Sequence, residues 1–403
     1  MKKIVLIDSH AIIHRAFHAL PPLNDSRGEP VNAVYGFASI LLRILKELRP
    51  DYLAAAFDMP GKTFRHAQYE AYKAHRPPTP DELKSQFAKV HELVEAFGIP
   101  VFQKEGYEAD DIIGTMTREL AAEKDCEVII ITGDSDALQL VRSNVKVYTM
   151  KKGVNDIAVY GEDEVHQRYG LMPEQLIDFK GLKGDASDNI KGVKGIGEKT
   201  AADLLKKFGS IDKMYEALEK GKAGISETIA AKLLEGKKDA IFSRELARID
   251  QHVPIMVQPE DVVWHDGSHE AAAAKLFRKY GFLSLVKRLS NNGGDDDIKK
   301  DAKKSQRKTG GVATAQPSLL DLSDIQTDTL LVRGVKEFSA YLKKRRRKVR
   351  TALLLANGLV YIVGDGDGPF LLEDVAMKSR DAKKFFEKSA FVCHDAKSLI
   401  RFL

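Results

Sequence analysis

Short apolar runs alternate with helical patterns through the first third of the 403-residue chain. Three of the runs are continuously apolar: Ile4–Ile7, Tyr52–Phe57 and Val128–Ile131. Such runs are typical of parallel strands buried on both faces. Between them, apolar residues recur at helical spacing at about 34–48, 81–97 and 109–122. Strands that alternate with helices predict an α/β fold with a mostly parallel central sheet and helices on both faces.

An acidic residue follows each predicted strand. Asp8 and Asp58 follow the first two, and Asp134 with Asp136 follows the third. Taken singly, each is typical of a helix N-cap or a turn. Ligands of open α/β sheets bind outside the carboxyl ends of the strands. Three such ends in succession therefore predict a shared acidic site.

A denser acidic cluster begins a predicted helix. Glu108, Asp110 and Asp111 lie within four residues, and Asp185 and Asp188 form a further pair. Carboxylates a few ångströms apart repel by roughly 4 kcal/mol per pair at an effective dielectric constant near 20. If these groups converge, a positive ion or side chain has to lie between them.

Basic and aromatic residues alternate through residues 61–76, before the Pro77–Pro80 segment, which interrupts any helix. Cations for phosphates and rings for bases are typical of a single-strand nucleic-acid channel. A solvated surface helix is an equally good interpretation of this segment alone.

A glycine-rich turn follows the acidic pair. Its sequence predicts a helix-hairpin-helix that holds a DNA backbone at a helix N-terminus, with a helix that starts near Glu198. The spacing differs from that of a Walker loop. The residues expected to contact DNA are Lys191, Gly192, Lys194, Gly195, Gly197, Lys199 and Thr200.

The net charge, the two cysteines and the length of the apolar runs narrow the class of protein. The formal charge of +5 is modest, so the placement of cations matters more than their total. Cys126 and Cys393 are far apart and predict neither a disulfide frame nor a zinc site. No apolar run is long enough for a membrane span. We expect a soluble cytoplasmic protein.

Taken together, these motifs resemble the flap-endonuclease family, most closely the 5′-nuclease domains of bacterial DNA polymerases I, over about residues 1–290. The resemblance is carried by Asp8, Phe57-Asp58, the Phe64–Arg76 segment, Glu108–Asp111, Gly133–Asp136 and Gly184–Asn189. Ser9 departs from the glycine usual in the family. The resemblance implies a PIN/5′-nuclease-like fold, a helical arch near 62–80 and a 5′→3′ exonuclease or flap endonuclease active in Okazaki-primer removal and DNA repair.

The resemblance also implies a metal site. Its ligands would be Asp8, Asp58, Glu108, Asp110, Asp111, Asp134, Asp136, Asp185 and Asp188, in two clusters. Oxygen ligands suit Mg²⁺ or Mn²⁺. Two or more ions, about 4 Å apart, would flank the scissile phosphodiester. Glu108 and Asp110 would bridge the pocket, with Asp111 in support.

The family assigns roles to basic residues and partners as well. Lys73 and Arg76 would orient the scissile phosphate on the arch, and Arg65 and Tyr72 would position the strand. The hairpin would hold duplex DNA, with a K⁺ ion. The expected partner is DNA with a 5′ single-stranded flap or nick, including RNA-primed ends, bound by a monomer associated with the bacterial nucleoid.

Four segments are predicted: a catalytic core at 1–175, a helix-hairpin-helix subdomain at 176–289, a flexible linker at 290–326 and an incomplete 3′–5′ exonuclease-like domain at 327–403. In the last, a hairpin across Asn357-Gly358 is expected. Residues 351–354 lack the family's Asp-x-Glu pair, which predicts an inactive remnant. The chain is either part of a longer polymerase I, which alone would carry polymerase activity, or a truncated form.

Two other classes of function stay open. A non-catalytic DNA-junction-binding protein would keep the hairpin but lose acids from the metal clusters, and all nine acids are present. A PIN-type ribonuclease would also place acids at strand ends, but it has fewer of them and lacks the arch and hairpin.

Overall fold

The computed structural model describes residues 1–290 except 124, 151–156, 266 and 268, and beyond them only five short strands. The chain divides into two compact units, Met1–Lys308 and Thr309–Leu403. The strands of the first unit are β1 Lys2–Asp8, β2 Tyr52–Ala56, β3 Val101–Phe102, β4 Cys126–Thr132, β5 Val145–Met150 and β6 Ile157–Tyr160.

These strands form one sheet in the order β3-β2-β1-β4-β5-β6. Every pair is parallel except β5 and β6. The chain moves outward from β1 on one side to β2 and β3, and then to β4 on the other side. A crevice that accepts ligands is expected where the strand order reverses in this way. The predicted mostly parallel α/β sheet is confirmed.

Helices cover both faces of the sheet. They are α1 Ser9–Ala19, α2 Asn32–Leu48, α3 Phe64–Gln68, α4 Asp81–Ala96, α5 Ala109–Leu120, α6 Glu162–Tyr169, α7 Gln175–Lys183, α8 Glu198–Phe208, α9 Ile211–Glu219, α10 Glu227–Glu235, α11 Lys237–Ala247, α12 Glu270–Lys279 and α13 Leu283–Ser290. Alternate strand residues enter two cores: Ile129 and Ile131 pack with α1, α2 and α4, whereas Val128 and Ile130 pack with α5. Strands buried on both faces explain the continuously apolar runs.

A third core lies within the helical segment after β6. It contains Leu182 of α7, Val193 and Ile196 of the connecting turn, and Leu205 of α8. The structure ends this helical subdomain earlier than the predicted residue 289. Phe277 of α12 and Leu285 of α13 pack with α2 and α4, because their apolar faces return to the sheet core.

The second unit contains a five-stranded sheet in the order β11-β8-β9-β10-β7. Its strands are β7 Leu330–Val332, β8 Thr351–Ala356, β9 Leu359–Gly364, β10 Asp367–Leu372 and β11 Phe391–Cys393. The antiparallel pairing of β8 and β9 confirms the predicted hairpin, although Asn357 and Gly358 lie outside the described residues. The predicted linker at 290–326 also falls almost wholly outside them.

Candidate metal centre and nucleic-acid interface

The carboxyl ends of three neighbouring strands bring three aspartates together. β1 lies between β2 and β4, and Asp8 is its last residue. Asp58 and Asp134 each come two residues after the ends of β2 and β4. Parallel pairing puts all three ends at one edge of the sheet. The convergence expected from the sequence is therefore a consequence of the strand order.

Local hydrogen bonds fix the orientation of Asp8. Its Oδ1 accepts from the backbone N–H of Ala11 at 3.0 Å, so Asp8 caps the start of α1. Its Oδ2 accepts from Thr132 Oγ1 at 2.6 Å, and the same Oγ1 accepts from the Asp134 N–H at 3.0 Å. The sequence offered a helix N-cap and a site residue as alternatives for Asp8; the structure shows the N-cap and also places Asp8 in the lining of a cavity.

Helix α5 points its first turn at the same place. The backbone N–H of Ala109 donates to Asp58 Oδ1 at 2.6 Å, which joins the helix start to the end of β2. Successive helical residues are rotated by about 100°. Asp110 consequently lines the cleft, while Asp111 is fully buried on another side of the helix.

These carboxylates line a cavity of about 420 Å³. Lys73 and Arg76 also line it, as do three histidines from α1. The acidic lining consists of Asp8, Asp58, Glu108, Asp110 and Asp134; the histidines are His10, His14 and His18. The histidine stripe was not predicted from the sequence, although its helical spacing was visible there.

Charge is crowded on the cavity floor. Burial, with Asp58 and Asp134 nearby, raises the pKa of Asp8 to about 7. Burial and the neighbouring carboxylates Asp8 and Asp134 raise the pKa of Asp110 well above its usual range. Like charges that share a site disfavour the ionised form. A bound cation would relieve this repulsion.

The donor set fits a hard divalent ion. The crowded groups are carboxylate oxygens, which Mg²⁺ and Mn²⁺ prefer. Within the described residues, no three His, Cys, Asp or Glu side chains are arranged to hold an ion directly. Mg²⁺ keeps several of its waters in protein sites. The cleft thus offers the oxygen donors that a hard divalent ion requires.

A second acidic group is neutralised by side chains. Lys180 of α7 pairs with Asp136 and with Asp185, the latter at 2.6 Å. Burial and Asp134 raise the pKa of Asp136 to about 7. Against the effect of burial, Lys180 and Ser187 lower the pKa of Asp185 to about 2. Lys180 was not predicted from the sequence, and its helical position facing both acids became visible only in the fold.

Asp188 belongs to the same side of the site but pairs with the basic segment. Arg76 Nη2 donates to Asp188 Oδ1, and the Tyr72 hydroxyl lies 3.2 Å from Asp188 Oδ2. Lys73 Nζ donates to Glu108 Oε1 at 2.8 Å. Lys73 also adopts a positive φ of 54°, held by its N–H bond to the Asp188 carbonyl. The two predicted cations therefore lie between the two acidic groups.

The segment at 62–80 differs from the predicted helical arch. It contains one short helix, α3, followed by turns through residue 76 and then the prolines. Tyr72 is 3% exposed and its hydroxyl lies 3.1 Å from Glu108 Oε2, so its ring is not open to a base. Arg65, expected to position the strand, is also 3% exposed. Both expectations are corrected because the side chains point inward.

Asp111 requires a correction too. It lines no part of the cavity and accepts two hydrogen bonds from Arg65, each at 2.7 Å. The predicted set of nine acids is thereby divided: five face the cleft, three pair with basic residues at its side, and Asp111 pairs with Arg65 inside the protein.

The glycine turn has the predicted geometry at its helix start. Gly192 and Gly195 adopt φ values of 64° and 79°, and α8 begins at Glu198 after the N-cap Gly197. The helix expected near Glu198 is confirmed. The basic residues of the turn are exposed: Lys191, Lys194 and Lys199, with Thr200 partly exposed.

A second turn of the same kind precedes α10. Gly221 and Gly224, with φ of 65° and 57°, stand in the same relation to α10 as Gly192 and Gly195 do to α8. The sequence signal was present: Gly195-Ile196-Gly197-Glu198 is matched by Gly224-Ile225-Ser226-Glu227. The turns are cross-linked, because Lys232 of α10 donates to the Gly195 carbonyl and Lys207 of α8 donates to the Gly224 carbonyl.

Carboxylates at parallel strand ends, with cations on the cleft wall, define an α/β protein of the nuclease class. A family model described as 5′-3′ exonuclease, N-terminal resolvase-like domain, matches residues 3–170. A second, 5′-3′ exonuclease, C-terminal SAM fold, matches residues 171–270. The chain belongs to the 5′-3′ exonuclease family and matches the models of both its N-terminal and its C-terminal domain.

The curated relatives are longer proteins. DNA polymerase I of Bacillus subtilis is 42% identical over 295 residues, which cover 73% of this chain and 33% of the relative. DNA polymerase I of Chloroflexus aurantiacus is 45% identical over 295 residues, covering 71% and 30%. The chain spans about a third of the length of these relatives.

Solved structures share the fold. T5 5′-exonuclease with bound divalent metal ions (zinc) matches with a TM-score of 0.51 at 19% identity, over 72% of this chain and 98% of that one. The bacteriophage T5 flap endonuclease in a product-like complex with DNA and metal ions matches with a TM-score of 0.51 at 18% identity, over 72% and 97%. No helix in the described part of this chain could cross a membrane.

Proposed function

We propose that this chain is a divalent-metal-dependent, structure-specific nuclease. It would hydrolyse phosphodiesters in DNA that carries a 5′ single-stranded flap or a nick, including RNA-primed ends. The observation that carries the proposal is one cavity in which five carboxylates meet Lys73 and Arg76. Acidic oxygens for metal ions and cations for a phosphate are the two parts that phosphodiester hydrolysis requires.

The proposed ions are two or more Mg²⁺ or Mn²⁺. Once bound, they would supply an activated water and neutralise charge on the leaving oxygen. The cleft carboxylates would hold the first ion: Asp8, Asp58, Glu108, Asp110 and Asp134. The side group would contribute to a second: Asp136, Asp185 and Asp188. These three now pair with Lys180, Arg76 and, less closely, Lys73.

The basic residues of the wall would bind and orient the scissile phosphate. Lys73 Nζ already lies at hydrogen-bond distance from a carboxylate oxygen of Glu108. The Arg76 side chain is about half exposed, so its remaining donors are open to a ligand. An arriving phosphate would exchange with these carboxylates, and Lys73 and Arg76 would stabilise its charge.

Duplex DNA would lie against the glycine turn. Exposed Lys191, Lys194 and Lys199 supply cations, and the start of α8 supplies backbone N–H groups. A K⁺ ion at this turn is part of the proposal. Recognition would follow backbone shape and weaken steeply with salt, because phosphate contacts release counterions.

At the level of the cell, we propose a monomer that acts in the bacterial cytoplasm at the nucleoid. There it would remove RNA primers of Okazaki fragments and process repair intermediates, as the N-terminal part of a DNA polymerase I. The identity to such polymerases over residues of both matched domains supports this proposal.

A cleavage assay separates the candidate classes of function. The chain is incubated with a labelled 5′-flap DNA and with single-stranded RNA, each with Mg²⁺ and with EDTA. We expect Mg²⁺-dependent cleavage of the flap DNA near the junction and little cleavage of the RNA. Binding of flap DNA without cleavage would favour a junction-binding protein, and preferential cleavage of RNA would favour a PIN-type ribonuclease.

A further inference from the structure

Arg65 and Asp111 form an ion pair inside the protein, beside the cleft but outside its lining. Arg65 is 3% exposed, and Asp111 is fully buried. Arg65 Nη1 donates to Asp111 Oδ2 at 2.7 Å and Nη2 donates to Oδ1 at 2.7 Å. Two parallel hydrogen bonds between a guanidinium and a carboxylate give a strong and directional contact.

The guanidinium has no donor left for a DNA phosphate. An arginine carries five N–H groups in a fixed plane. Two are used by Asp111. The others donate to the Leu246 carbonyl at 3.0 Å, the Arg248 carbonyl at 2.7 Å and Glu108 Oε2 at 3.4 Å. A strand contact by Arg65 would break one of these bonds.

The carboxylate oxygens of Asp111 are likewise occupied by hydrogen bonds within the protein. Besides Arg65, Asp111 Oδ2 accepts from the Glu108 N–H at 3.1 Å, and Oδ1 accepts from the Asp250 N–H at 2.8 Å. The pair thus joins three segments that are distant in sequence: α3, the first turn of α5 and the stretch from the end of α11 to Asp250.

We propose that Arg65 and Asp111 are positioning residues for the nuclease site. This inference rests on the proposed function. Glu108 and Asp110, which line the cleft, lie three residues and one residue before Asp111 in the chain. Lys73 and Arg76 follow Arg65 in the segment that α3 begins. The ion pair fixes the position of the cleft carboxylates relative to the basic side chains of the cleft. Neither Arg65 nor Asp111 would itself contact a metal ion or DNA.

The test compares Arg65→Lys with the wild-type chain. Lysine keeps the charge but cannot reproduce the planar fork. Loss of partners behind metal ligands costs about 10–100-fold in metal affinity or activity. We expect the single-turnover cleavage rate on flap DNA to fall by about that factor, and Mn²⁺ affinity without DNA, measured by calorimetry, to fall by about 10-fold. The dissociation constant for flap DNA in EDTA should stay within about twofold.

Matched variants complete the design. Asp111→Asn should reproduce the pattern of Arg65→Lys, because it weakens the same pair. Arg244→Lys is the control, since Arg244 is a mostly buried arginine paired with Asp212 and Asp178 away from the cleft. It should leave both the cleavage rate and Mn²⁺ affinity unchanged.

Three outcomes would overturn the proposal. Weaker DNA binding by Arg65→Lys with a shallower salt dependence would make Arg65 a strand contact. If Asp111→Asn binds one Mn²⁺ ion fewer than the wild-type chain, while Arg65→Lys binds Mn²⁺ with normal affinity, then Asp111 is itself a metal ligand. Unfolding of both variants at 4 °C, with Arg244→Lys folded, would give the pair a general structural role. A wild-type chain that fails to cut flap DNA would refute the proposed function, while the Mn²⁺ titration would still test the pair.

Discussion

Asp110 and Asp111 are chemically identical neighbours with different surroundings. Asp110 lines the acidic cleft, and Asp111 accepts hydrogen bonds from Arg65 in the interior. One residue along a helix is about 100° of rotation, which is enough to exchange the lining of a cleft for a packed interior. Residue type indicates which chemistry is available, but the direction of the side chain decides which chemistry is used.

The most direct prediction at this scale concerns Asp134. Asp134→Asn keeps the side-chain size but removes one negative charge from the cleft. Metal ions contribute several kcal/mol of charge stabilisation in such reactions. We expect cleavage of flap DNA to fall by at least about 10³-fold, since roughly 1.4 kcal/mol corresponds to a factor of ten. Quenched-flow cleavage of a labelled flap measures this loss.

The control for that prediction is Asp203→Asn. Asp203 is an exposed carboxylate on α8, outside the cleft lining. Its substitution should leave the rate within about twofold, as is usual for surface changes. Binding of flap DNA by Asp134→Asn should also persist. Full activity of Asp134→Asn would contradict the metal centre.

Lys73 gives a second prediction. Its ammonium lies on the cleft wall at 2.8 Å from Glu108. Removing a positioned donor that stabilises developing charge costs about 10²–10³-fold in turnover. Lys73→Ala should therefore lower kcat by about that factor. Lys84→Ala, a change of an exposed lysine paired with Asp81, should not. An unchanged kcat for Lys73→Ala would show that another group orients the phosphate.

At the scale of elements, the spacing of apolar residues along the sequence predicted most of the elements that form the core. The predicted helices near 34–48, 81–97 and 109–122 correspond to α2, α4 and α5 within two residues at each end. These elements are long and amphipathic or buried, so the apolar pattern alone defines them. The strand-end position of Asp8 followed from the same pattern.

The basic segment could not be predicted in this way. Its alternation of cations and rings suits a channel, yet Arg65 and Tyr72 point inward. Their partners, Leu246 in α11 and Asp188 in the turn after α7, are distant in sequence, so contacts between remote parts of the chain decide their direction. Local patterns are weak evidence wherever tertiary contacts select the conformation.

The glycine turn supplies a prediction about an element. Gly192 has a φ of 64°, and a Cβ placed there would lie 2.2 Å from the Gly184 nitrogen. Gly192→Ala combines a strained backbone with a steric clash, so we expect a loss of about 2–5 kcal/mol in the free energy of unfolding. Urea denaturation measures it.

Gly197→Ala is the matched substitution. Gly197 is also in the turn, but its φ is −93° and no atom lies within 4 Å of the added Cβ. Its unfolding free energy should change by less than about 1 kcal/mol. Equal destabilisation by both variants would show that the turn tolerates no side chain for reasons other than backbone geometry.

For the molecule as a whole, opposite charges are separated within a modest net charge of +5. The cleft gathers carboxylates, whereas exposed lysines mark the glycine turn. The repulsion in the cleft opposes folding, and hydrophobic packing around both sheet faces has to exceed it. Relief of that repulsion by a bound ion should consequently appear as greater stability of the folded chain.

This reasoning leads to a prediction for the metal itself. A ligand that binds only the folded state at 100 times its dissociation constant stabilises that state by about 2.7 kcal/mol. For a domain of this size, Tm rises by about 2–4 °C per kcal/mol. Saturating Mg²⁺ should therefore raise Tm by roughly 5–10 °C over EDTA, followed by scanning calorimetry. Asp134→Asn should show less than about half of this shift, and the same shift in both chains would place the stabilising ion outside the cleft.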